Sequence, residues 1–202
     1  FVLAGQGDLL RLAHELAALF GVQEKLTGAS AQRIYDQVEA ALASPTFQPR
    51  ALFDRLNIEV LATTDAATDT LEHHQAIRAS GWRGRIIPTF RPDGVINLLA
   101  PGWRQNIDAL SLVSGVEVSS YRTYLRALEE RRSFFRTLGA TATDVSATTA
   151  ATLHLDEQEA ATLFDRGLAG TADAADAERF TAHMLCELAR MSVDDGMVMQ
   201  LH

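Results

Sequence analysis

Four short apolar runs in this chain each end in a polar or ionisable residue, and helical patterns separate them. The ends are Thr63-Thr64-Asp65, Phe90-Arg91, Thr143-Asp144 and Leu201-His202. Strands alternating with helices imply βαβ units and a parallel sheet. Parallel strands joined by helices all point the same way, so their C-terminal ends gather on one rim, where active sites of such folds sit. The pattern therefore calls for an α/β protein, either part of a parallel barrel or an open parallel sheet.

The chain's 202 residues suffice for a full core, and the 47% hydrophobic content is that of a globular protein. No window approaches the ~18 apolar residues of a membrane helix. A net charge of −8 with Lys25 as the single lysine argues against a nucleic-acid groove. The lone Cys186 excludes an internal disulfide and reads as a small buried hydrophobe. Arg131-Arg132 after Glu129-Glu130 reads as a solvated helix face. Phe1-Val2-Leu3-Ala4-Gly5 carries no basic region or cleavage site, so it reads as internal sequence and not as a targeting segment.

Helical spacing at Leu9, Leu12, Ala13, Leu16 and Phe20 predicts a first helix ended by Gly21. Ser30 is placed to cap a second, which Ser44-Pro45 ends, and residues 48–56 form a third. The predicted strands are 58–64, 85–90, 140–144 and 197–202, with Pro88 implying a bulge or strand end. Helices are predicted at 69–80, 103–114, 119–138, from an Asp156 cap to Arg166, and at 172–192. The last carries Phe180, Met184, Leu188 and Met191 on one face. Arg91-Pro92-Asp93-Gly94 reads as a loop.

Among the strand ends, Arg91 offers a planar fork suited to a carboxylate or phosphate, and equally a structural pair with Asp93. Asp65 and Asp144 are candidate acid-base groups or metal ligands, with capping the plainer role for Asp65. His202 could shuttle a proton or bind a metal, or be a buried, hydrogen-bonded histidine. His14, His73, His74, His154 and His183 share no ligand spacing and read as surface or packing residues.

Three ordered blocks carry a resemblance: Asn57-Ile58-Glu59-Val60-Leu61-Ala62-Thr63-Thr64-Asp65, Pro88-Thr89-Phe90-Arg91-Pro92-Asp93, and Gly139-Ala140-Thr141-Ala142-Thr143-Asp144. In these the chain resembles the uronate (glucuronate) isomerase family of the amidohydrolase-like superfamily. The resemblance implies a partial (β/α)8 TIM-type barrel, about strands 2 to 5, with an N-terminal helical insertion. Residues 1–56 would be the insertion region and 57–202 the partial barrel. The implied activity interconverts D-glucuronate with D-fructuronate and D-galacturonate with D-tagaturonate through a cis-enediol, in cytoplasmic glucuronate catabolism.

On that reading Asp144 and His202 are catalytic, and Arg91, Thr64 and Asp65 bind substrate, with Arg91 holding the C6 carboxylate. The cofactor implied is a divalent metal, zinc, whose main ligands are expected outside this chain, which would then be inactive alone. The partner is a small-molecule uronate, with no nucleic acid or membrane, and a homo-oligomer is left open. The family's usual His-Gly after the Asp144 strand is Val145-Ser146 here. Two competing readings are a metal-dependent hydrolase of the same superfamily, since one fold carries many chemistries, and a noncatalytic module pairing open sheet edges.

Overall fold

A computed structural model describes residues 6–147 and 149–202. The reading of Phe1–Gly5, and the place of the Leu9 side chain on its helix, lie outside the described residues. Two compact units divide at Glu59 and Val60.

The first unit holds α1 (Gln6–Phe20), α2 (Ala31–Leu42), a 3-10 turn at Pro45–Phe47 and α3 (Pro49–Arg55). Gly21, at φ +67°, follows α1 in the left-handed region that a side chain disfavours. Pro49 opens α3, where its missing N–H costs no helical bond. Ser30 precedes α2 but does not cap it with its side chain. Its hydroxyl instead donates to the Lys25 carbonyl at 2.7 Å and accepts from the Thr27 N–H at 2.8 Å, closing the preceding turn. Phe20 stacks on Phe47, and Arg55 lies over the Phe47 ring while donating to the Leu19 carbonyl.

The second unit is a four-stranded parallel sheet in chain order: β1 (Leu61–Ala66), β2 (Ile86–Arg91), β3 (Ala142–Val145) and β4 (Val198–Leu201). Its helices are α4 (Glu72–Ala79), α5 (Asp93–Ile96), α6 (Trp103–Ser114), α7 (Tyr121–Thr137), α8 (Glu157–Ala169) and α9 (Ala174–Asp195). Parallel neighbours in sequence order with helical crossovers form an arc of barrel wall.

Strand positions shifted from expectation because pairing, more than propensity, sets their ends. The segment 58–60 is not strand: Ile58 N–H still donates to Phe53 at the end of α3, and Asn57 sits at φ +50°. The ladder opens where Leu61 donates to Arg85, and it runs through Asp65 to Ala66. Pro88 makes no bulge. It keeps an unbroken register opposite Thr63, while β2 meets β3 only at Phe90 and Thr143, so no ladder bond needs its missing N–H. The expected loop after Arg91 winds into α5, whose Val95 carbonyl accepts from the Trp103 indole at 2.8 Å and the Tyr124 hydroxyl at 3.0 Å.

The cap expected at Asp156 is present, and two more helices start on caps not predicted from the sequence. Ser120 caps α7 and Asp173 caps α9, both with reciprocal side-chain bonds, and Asp156 accepts from Glu159 N–H to start α8. Phe180, Met184, Leu188 and Met191 are buried together as their spacing predicted. Phe90 from the sheet meets Phe135 of α7 edge-on at 5.1 Å. Cys186 is only half-buried, not a core residue.

The Arg131-Arg132 reading is overturned, since the two residues are 4% and 1% exposed. Arg131 donates to the carbonyls of Ala67, Asp69 and Val113, tying the loop after β1 and the end of α6 to α7. Arg132 forks onto Asp195 at 2.6 and 3.0 Å and reaches Ser192, locking α7 to the end of α9.

Helix α8 approaches its neighbours through Gly167, where a Cβ would come within 2.9 Å of Leu98 and 3.1 Å of the Trp103 ring. Gly167→Ala is expected to destabilise the fold by about 1–3 kcal/mol through overpacking, despite alanine's better helix propensity. Chemical unfolding of the variant measures it.

Candidate active site

Register decides which side chains share a face, because paired residues in a parallel sheet point the same way and successive ones alternate. Asp65, Phe90 and Thr143 are mutual partners along the sheet, and Phe90 packs against α7. That is the helix-covered face. On the opposite face stand Thr64, Arg91, Asp144 and, at the end of the β4 run, His202.

Three of these meet. The Arg91 Nε donates to Asp93 Oδ2 at 2.9 Å, and its Nη1 lies 3.6 Å from Asp144 Oδ2. The His202 Nδ1 stands 2.6 Å from the other Asp144 oxygen. The histidine backbone is fixed as well: its N–H donates to Val145 and its carbonyl accepts from Ala147, extending the β3–β4 ladder. Asp93, the first residue of α5, also accepts from the Ser146 N–H at 2.8 Å, joining the rim after β2 to the rim after β3. Beside this cluster a cavity of about 560 Å³ is lined in part by Asp93, Asn97, Ser146 and Glu178.

Asp144 is mostly enclosed, whereas the Arg91 and His202 side chains keep 37% and 60% of their surface exposed. Both remain reachable by a ligand. The guanidinium stands between two carboxylates: the structural pair with Asp93 is present, and part of the guanidinium remains exposed to solvent.

The remaining candidates separate. Thr64 lies on the site face but pairs with Thr89, two residues short of Arg91. Asp65 is corrected outright, because the strand continues through it and turns its side chain to the helix layer. There it accepts from the Thr63 hydroxyl at 2.7 Å, which also bonds His74 Nε2 of α4 at 2.8 Å. His74 is thus an oriented packing residue, while His73 is exposed. Buried His183, bonded by the Tyr121 hydroxyl and the Leu155 N–H, is displaced to lower pKa by burial.

Val145 is fully buried on the helix-covered face, so residue 145 does not face the cluster. The role of Asp93 beyond pairing Arg91 left no sequence signal, since its second partner is a backbone N–H 53 residues away.

Among the described residues no group of three or more His, Cys, Asp or Glu is placed to hold a metal ion. Asp144 and His202 offer two donors, with Arg91 close by as a competing cation. These side chains do not by themselves fit a metal centre.

A family model described as glucuronate isomerase matches residues 11–202. The chain belongs to the glucuronate isomerase family. It is 52% identical to the uronate isomerase of Nostoc punctiforme over 202 residues, which is 100% of this chain and 43% of that protein. It is 49% identical to that of Rhizorhabdus wittichii over 185 residues, 92% of this chain and 40% of the relative. The chain therefore spans about two fifths of the length of the curated relatives it matches.

The crystal structure of glucuronate isomerase from Caulobacter crescentus aligns with a TM-score of 0.92 at 43% identity, covering 98% of this chain and 41% of that one. The uronate isomerase of Thermotoga maritima, at 24% identity and a TM-score of 0.89 over 98% of this chain and 44% of its own, shares the fold. The four parallel strands are thus part of a TIM-type barrel of the glucuronate isomerase family. Among the described residues no helix is long and apolar enough to cross a membrane.

Proposed function

We propose that the whole protein interconverts D-glucuronate with D-fructuronate and D-galacturonate with D-tagaturonate, as an enzyme of cytoplasmic glucuronate catabolism. The supporting observation is the Arg91, Asp144 and His202 cluster on the C-terminal rim of a chain from this family.

In the open-chain aldose, the C2–H bond breaks as its proton passes to a base, and the C1 carbonyl oxygen takes up a proton. The cis-enediol results. The C2 hydroxyl then releases its proton while C1 gains one, giving the ketose with no net change in protons. The Asp144–His202 pair serves as the acid-base group, the carboxylate holding the imidazole in place. Arg91 holds the C6 carboxylate through its unpaired N–H groups, and Thr64 lines the sugar's approach.

Two carboxylates, Asp93 and Asp144, already face the guanidinium that is to take the substrate carboxylate. A divalent cation, zinc in this proposal, would supply positive charge there, with its main ligands expected outside this chain.

Isomerase assays of the whole protein with both uronates test the reading. Arg91→Lys keeps the charge but loses the fork, and is expected to raise KM about 10- to 100-fold while changing kcat less. An unchanged KM would remove Arg91 from substrate binding.

A further inference from the structure

At the opposite, N-terminal ends of the strands lies a second cavity of about 550 Å³, walled by Arg78, Arg83, Arg85, Arg136, Trp82 and His74. Four guanidiniums line it and, among the described residues, no carboxylate does, in a chain whose net charge is −8. Some exterior arginines elsewhere are paired. Arg104, Arg122, Arg179 and Arg190 each hold a carboxylate within 4 Å, whereas among the described residues none lies that near the four in this cavity.

Arg78 and Arg136 sit in the last turns of α4 and α7, where a cation complements the helix dipole. That reason does not reach Arg83 or Arg85, which stand in the connection before β2 and add two further like charges. Arg136 also acts on Asp195 from beyond ion-pair distance, but the like charges sharing this concavity still repel one another, and a bound anion would relieve that repulsion.

The walls are built, not incidental. The Trp82 ring lies so close over Gly84 that a Cβ there would come within 2.1 Å of it. Arg78 is anchored by donating to the Thr137 carbonyl at 2.7 Å, joining the ends of α4 and α7. The Arg85 carbonyl accepts from Leu61 at the first rung of the sheet. His74 is nearly enclosed and held through Nε2 by Thr63, whose hydroxyl is oriented by Asp65.

We propose that this cavity binds a small phosphate-bearing anion. Guanidinium forks match phosphate oxygens, and the volume is that of a small-molecule site. Arg91, on the proposed catalytic rim, lies six residues along β2 from Arg85, a span of roughly 20 Å. The site is therefore distinct from the one proposed to take the uronate carboxylate.

Calorimetric titration of the whole protein with inorganic phosphate and with methyl phosphate, at fixed ionic strength, tests it. Saturable binding is expected, weakened at least about tenfold in the Arg83→Ala/Arg85→Ala double variant and again in Arg136→Ala, which sits on a different element. Arg91→Lys should bind as the parent does. Tighter binding of the monoester assigns the cavity to phosphorylated metabolites, and parity assigns it to free phosphate. Absence of saturable binding, equal affinity in the arginine variants, or a loss confined to Arg91→Lys overturns the proposal.

Discussion

Arg132→Ala is expected to destabilise the protein by about 3–5 kcal/mol, because it removes the buried partner of an ion pair and leaves Asp195 only the Met197 N–H and the more distant Arg136 charge. Arg132 is 1% exposed and reaches Asp195 through two nitrogens, with Phe90 against its guanidinium. Truncation therefore opens a void beside Phe90 and strands a carboxylate at the end of α9. The double variant Arg132→Met/Asp195→Leu, which removes both charges, should recover much of the loss. Urea unfolding of the three proteins measures the difference, and equal stability of Arg132→Ala and the parent would show the pair to be dispensable.

The same pair sets a pH signature. Burial raises the Asp195 pKa, but the Arg132 hydrogen bond, the Met197 N–H and the charges of Arg132 and Arg136 outweigh it and hold the carboxyl below its ordinary value. A group whose folded pKa is depressed contributes stability that is complete above its unfolded value, about 3.9, and is lost as pH falls through the folded one. The parent should thus lose stability in acid over that window. Arg132→Ala should lose less there, having already forfeited the interaction.

This pair also marks a limit of reading sequence. Glu129-Glu130-Arg131-Arg132 has the composition of a solvated helix face, and the partners that bury its arginines lie about 60 residues away. The helix start at Asp156 was legible because a cap is a local event, completed within three residues. Strand limits were not, since β1 begins where its neighbour's Arg85 carbonyl is available and not where β-branched residues begin.

The candidate site divides along the same line. Arg91, Asp144 and His202 could be read from the ends of alternating runs, and register brings them together. Asp65 could not, because extending a strand through it turns the side chain from rim to helix layer. The arginine cavity was invisible as well, as its four residues come from α4, the connection after it and α7.

Asp144→Asn is expected to carry the largest functional effect, a loss of about 10²- to 10⁴-fold in kcat for uronate isomerisation, the usual contribution of a positioned acid-base group. The substitution keeps the side-chain shape but removes the charge that meets both Arg91 and His202. If the carboxylate orients the imidazole and offsets its charge as a proton is gained, the amide can do neither well. KM should change less than kcat, because Arg91 still faces the substrate carboxylate and loses one of its two acidic neighbours. The contrast with Arg91→Lys is the decisive observation: one variant acts on turnover and the other on binding. Should Asp144→Asn raise KM while leaving kcat unchanged, Asp144 would be a positioning residue for Arg91, and proton transfer would have to be assigned to His202 without it.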